Sequence, residues 1–196
     1  MTTSQIEAPI DGRKQRTNDS RQKIVEAMLA FIREGNVAPS AEQVASKAGV
    51  GLRTVFRRFN EMELLFRELS IEIQRNFKPE LARPLDGNTW QEKLFDLIKR
   101  KNLIYNIILP YRIASIYHQH ESDFIRENIN NWNKKEENML AALLPFSKKD
   151  NASLFYALNT TISFPYWMSL RKDQGLSAEQ CLEIMNFATA ELIKDL

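Results

Sequence analysis

The chain has 196 residues, with 27 Lys and Arg against 25 Asp and Glu, a formal charge of +2, one cysteine and six glycines. An apolar fraction of 43% excludes a disordered chain, and a lone Cys181 excludes a disulfide scaffold or a cysteine-rich metal cluster. No apolar stretch approaches the roughly 18–20 residues of a membrane span, and the N-terminal region lacks a signal-peptide pattern, so a cytoplasmic protein with no membrane partner is expected.

The near-zero sum conceals an asymmetry. Residues 13–58 hold ten basic residues (Arg13, Lys14, Arg16, Arg21, Lys23, Arg33, Lys47, Arg53, Arg57, Arg58) and four acidic ones (Asp19, Glu26, Glu34, Glu42), a net +6. Residues 76–196 carry fifteen of each sign. A compact basic segment on a neutral body points to polyanion binding in the first and a less electrostatic task in the second.

In chain order the pattern reads as helix almost throughout, because long segments of 3.6-residue periodicity alternate with sparse Gly and Pro and none has period two. Residues 1–17 are polar and read as a flexible basic arm. Ile24, Met28, Leu29, Phe31 and Ile32 form a helical face from about Ser20 to Glu34, stopped by Gly35-Asn36. Ser40, with Gln43 three residues on, makes a capping box for a short helix ending at Ala48-Gly49. A third helix follows from Gly51 or Leu52 to Phe59, and a fourth from Met62 to about Phe77, ending before Pro79. Residues 76–89 form the joint between the halves. Beyond it Trp90–Leu109 is interrupted by Pro110, Glu121–Leu144 is ended by Pro145, and Ser147–Leu170 is expected to bend at Pro165. Ser177 and Gln180 cap a last helix. The expectation is an all-α protein of about nine helices, with a three-helix domain over 18–65 and a larger helical domain over 66–196.

Residues 40–59, SAEQVASKAGVGLRTVFRRF, meet the requirements of a helix-turn-helix. Ala45 is small enough for close helix crossing, and Gly49 tolerates a left-handed backbone at the turn. Val44, Val50 and Val55 can pin the pair onto Leu29 and Ile32. The candidate DNA-contacting residues are Ser40, Gly51, Leu52, Arg53, Thr54, Phe56, Arg57 and Arg58. A helix of this length fits the major groove, where Arg can pair with guanine and Thr can touch a thymine methyl.

The stretch 20–65 resembles the DNA-binding domain of the tetracycline-repressor (TetR) family of bacterial transcriptional regulators. The shared frame runs through Ile24 and Ala27, Gly35, Ser40, Val44-Ala45, Ala48-Gly49-Val50, Thr54-Val55-Phe56, Phe59 and Leu64-Leu65. The resemblance implies a homodimer on a palindromic operator in double-stranded DNA and a small-molecule effector pocket in the C-terminal domain. It also implies DNA release, or altered binding, when that pocket fills. The chain departs from the family where a tyrosine usually meets a phosphate (here Phe56) and where a lysine usually opens the fourth helix (here Met62). The usual Ser-x-Gly entry is Gly51-Leu52-Arg53. Arg53, Arg57, Arg58 and the basic arm are available to replace the lost contacts.

In the C-terminal half, Tyr105, Asn106, Tyr117, Trp132, Asn159 and Trp167 are the candidate effector-binding residues, since buried aromatic and amide tips need partners. Few charges accompany them, so the effector is expected to be largely apolar. The last helix has apolar residues on nearly all sides, and Ile184, Met185, Ala188 and Leu192 are assigned to a dimer interface across a two-fold axis. No catalytic residue, metal site or cofactor is assigned. His118 and His120 are two apart rather than four, and Cys181 has no basic flank. The reading is a DNA-binding repressor released by its effector. Two others stay open: control by a protein partner or no effector, and a helical ligand-binding or adaptor protein that has lost DNA binding.

Overall fold

In the computed structural model the described residues are 12–59 and 62–196, with side chains over 17–57 and 66–196. They form nine α-helices and no strand, the all-α class and helix number expected. No helix among them is long and apolar enough to cross a membrane. The chain divides into two compact units, one ending at Ser70 and the other beginning at Ile71.

The first unit contains α1 (Gly12–Arg33), α2 (Ala41–Ala48), α3 (Leu52–Phe59) and the start of α4 (Met62–Ala82). α1 begins earlier than the expected Ser20, so residues 12–17 of the expected arm are helical and its first eleven residues lie outside the described set. Arg, Lys and Gln are good helix formers, and extending an established helix costs far less than nucleating one. α1 buries Ile24, Val25, Ala27, Met28, Leu29 and Ile32, which pack with Val44, Ala45 and Ala48 of α2 and Val55 of α3 into one small core. It stops at Gly35, whose positive φ lets Asn36 N–H return to the Phe31 carbonyl at 2.9 Å.

The second unit holds the rest of α4, then α5 (Trp90–His118), α6 (Asp123–Leu143), α7 (Ala152–Thr161), α8 (Phe164–Lys172) and α9 (Ala178–Ile193). α5 is its axis. α6, α8 and α9 all pack on it, around a core of Leu94, Leu97, Tyr105, Leu158, Trp167 and Met185. Side-chain caps start every helix here: Thr89 with Glu92, Ser122, Asn151, Ser163, and Ser177 with Gln180.

Three prolines act differently from expectation. α4 continues through Pro79 and ends one turn later, with the Pro79 carbonyl accepting Arg83 N–H at 3.2 Å. α5 continues through Pro110 to His118. The carbonyl that Pro110 deprives of a donor belongs to Asn106, which is exposed, so water can satisfy it. The expected bend at Pro165 is instead a break. α7 ends at Thr161, Ser163 caps α8, and Pro165 sits in the first turn of α8, where its missing N–H would have no helical partner anyway.

Candidate functional site

In the first unit the candidate surface is built by the corner between α2 and α3. Ser40 Oγ accepts the Gln43 N–H at 3.3 Å while Gln43 Oε1 accepts the Ser40 N–H at 2.8 Å, which fixes where α2 begins. Gly49 ends it in the left-handed region, φ 62° and ψ 36°, and Val50 N–H returns to the Ala45 carbonyl at 3.1 Å. Val55 is fully buried, and this sets the roll of α3. With Val55 inward, Gly51, Leu52, Arg53, Phe56 and Arg57 face solvent, and Thr54 is half-buried. Ser40 is exposed as well. The Arg58 side chain lies outside those described, as do those of Phe59 and Met62. Val50 is half-buried rather than a core residue.

The other candidate feature is an apolar cavity of about 80 Å³ in the second unit, lined from α4, α5 and α6 by Leu81, Leu97, Ile104, Trp132 and Met139 and by the carbon portions of longer polar residues. Beside it a buried polar cluster closes on itself. Lys101 Nζ reaches the Ile162 carbonyl at 3.2 Å and Glu136 Oε1 at 3.4 Å. The Tyr105 hydroxyl lies 2.7 Å from Glu136 Oε1 and 3.1 Å from the same carbonyl. Burial pulls the Lys101 ammonium below its ordinary pKa, with Glu136 opposing. Burial pushes the Tyr105 phenol well above its own, and the neighbouring Glu136 charge adds to the effect. Arg100, also buried at the cavity edge, donates to the Arg83 and Pro84 carbonyls and to Asp96. Apart from Arg100 Nε, which is buried without an acceptor among the described residues, these polar ends are committed to protein partners, and the cavity wall is hydrocarbon in character. Trp132 Nε1 is buried with no acceptor among the described residues.

Of the six residues assigned to an effector pocket, the cavity brings together Tyr105 and Trp132. Trp167 is buried core, its ring 5.8 Å from that of Tyr105 and its Nε1 donating to Asn102 at 2.7 Å. Asn106 faces solvent, Tyr117 is 57% exposed and Asn159 is half-buried, and none of the three lines the cavity. Their corrections share a cause: without the roll of α5 and α7, an aromatic or amide at a plausible turn looks the same inward or outward. Lys101, Glu136 and Arg100 were missed because charged residues read as a solvated face unless their partners, on distant parts of the chain, are known.

On α9 the inward row is Cys181, Met185, Thr189 and Ile193. Met185 therefore belongs to the core of its own unit and not to an exposed dimer face. Ile184, Ala188 and Leu192 form the adjoining half-buried row, next to Phe187, which is 70% exposed. Cys181 is a buried free thiol, and burial raises its pKa above the ordinary value. His118 Nδ1 pairs with Glu121 at 2.7 Å. Comparison with protein-family models, with curated proteins and with solved structures returned no match to the chain.

Proposed function

We propose that this chain is a DNA-binding transcriptional regulator of the tetracycline-repressor type, a repressor that binds a palindromic operator as a homodimer. The observation that carries the reading is the α3 surface, where Val55 is locked inward and Arg53 and Arg57 stand in solvent within a segment of net charge +6. Such a helix offers guanidinium forks to guanine edges, while the surrounding charge holds the phosphates. A homodimer, paired in this proposal through the exposed and half-buried side of α9, carries two copies of α3, and half-sites about 34 Å apart, one turn of DNA, are the spacing such a dimer reads.

The effector in this proposal is small and largely apolar and occupies the cavity between Leu81, Trp132 and Met139, whose wall supports such chemistry. It acts by population shift, stabilising an arrangement of the dimer that no longer matches the half-site spacing.

A mobility-shift titration on the DNA upstream of the gene tests the reading. Binding is expected to weaken steeply with salt, since each neutralised phosphate releases counterions, and Arg57→Ala is expected to cost about 1–3 kcal/mol. A failure to shift any upstream fragment at low salt would favour a helical ligand-binding or adaptor protein that has lost DNA binding.

A further inference from the structure

The solvent face of α3 is not simply basic. Leu52 and Phe56 stand one turn apart and form an apolar strip, with Leu52 38% and Phe56 50% exposed. Arg53 and Arg57, also one turn apart and exposed, form the strip beside it. A half-exposed phenylalanine among arginines contributes little to the core beneath and leaves apolar area in water, so the strip is explained by what covers it.

Resting on the DNA-binding reading above, we infer that Phe56 and Leu52 read thymine C5-methyl groups in the half-site, next to guanines read by Arg53 and Arg57. The occupant follows from chemistry. A phenyl ring has no donor for a phosphate oxygen, so Phe56 gains nothing from the DNA backbone. In the minor groove all base pairs present polar edges and no methyl. In the major groove the thymine methyl is the one apolar group a base pair offers, and guanine presents the two acceptors that suit a guanidinium fork. An apolar strip flanked by an arginine strip is the complement of thymine beside guanine. The net +6 of residues 13–58 favours a polyanion over a protein partner for the same face. Phe56 is thus a specificity-determining residue in its own right.

The test uses the full-length protein. Duplexes enriched from a random library are resynthesised with single thymines replaced by deoxyuridine, which deletes only the methyl. At one or two positions per half-site the replacement should weaken binding about fourfold, the worth of one buried methyl. Phe56→Ser should erase that difference while leaving the guanine preference and the salt dependence in place, and Leu52→Ser should do so at a neighbouring position. Both side chains lie outside the core, and thermal unfolding checks that each variant is folded. Should Phe56→Ser fail to fold, the deoxyuridine series on the unaltered protein and Leu52→Ser still decide.

Equal affinity for thymine and uracil throughout the site overturns the inference and leaves DNA binding standing. So does a difference that survives both serine variants, or duplex binding with no enriched motif. Absence of duplex binding at low salt overturns both, and points to a protein partner on this face.

Discussion

On α3, Arg53 and Arg57 project into solvent, whereas Arg100 and Lys101 on α5 are almost completely buried. Each of the α5 pair is matched by acceptors from its own unit: Asp96 and two loop carbonyls for Arg100, Glu136 and the end of α7 for Lys101. An exposed guanidinium keeps its hydration at little cost and can exchange it for a phosphate or a base. A buried cation must have its partners built in, and is then no longer available to a ligand. The same residue types therefore do different work in the two units. They form an exposed cationic surface in the first, and in the second they hold helices in place around a hydrocarbon cavity.

The largest expected effect breaks the buried side of this contrast. Glu136→Ala leaves Lys101 and the Tyr105 hydroxyl sharing only the Ile162 carbonyl, with the buried ammonium uncompensated, so it should cost roughly 3–5 kcal/mol in a urea titration. Lys101→Met combined with Glu136→Leu should recover most of that loss, since replacing both charges removes the desolvation cost as well. If the double variant is no more stable than Glu136→Ala alone, the pair is not the unit it is taken to be here. By contrast, Arg57→Ala should leave stability unchanged while reducing DNA affinity.

A smaller effect is expected at Asp96, and it depends on pH. Burial alone would raise this carboxyl, but the Asp86 N–H at 3.2 Å, Arg83 and Arg100 outweigh it and hold the pKa below the usual aspartate value. A depressed carboxyl stabilises the fold above the unfolded pKa, about 4, and loses that contribution as pH falls through the folded value. Asp96→Asn should therefore cost about 2 kcal/mol near neutrality, the scale of charged hydrogen bonds. The gap to the unaltered protein should narrow only as pH falls below about 4 and close once the folded carboxyl is itself protonated, because both forms are then uncharged at this position. Stability curves that stay parallel through the acid range would mean that Asp96 matters only for packing.

What could be read from the sequence divides along the same line. The ends of α2, the turn at Gly49 and the start of α9 are written in residues three or four apart, so Ser40-Gln43, Ala45-Gly49 and Ser177-Gln180 were legible locally. So was the inward Val55. The buried cluster was not legible, because Tyr105 meets Glu136 across 31 positions and Lys101 meets Ile162 across 61. No local pattern distinguishes such a lysine from one on a solvated face. The prolines misled for a related reason. The penalty for Pro110 inside α5 depends on whether water reaches the Asn106 carbonyl, which is a property of the folded surface.

The smallest effect separates structure from binding at a residue that caps a helix and is proposed to face DNA. Ser40 caps α2 through its hydroxyl and also lies on the exposed side of the corner that leads into α3. Ser40→Ala removes the acceptor for the Gln43 N–H and should cost about 1 kcal/mol. Ser40→Asp keeps an acceptor at the same place and adds a negative charge that the helix N-terminus favours, so its stability should stay within about 0.5 kcal/mol of the original. That charge should nevertheless repel a phosphate. The aspartate variant is therefore expected to be as stable as the parent, yet to bind DNA more weakly than the alanine variant does. If alanine and aspartate weaken binding equally, Ser40 acts only by placing α2, and the proposed DNA-facing surface begins at α3.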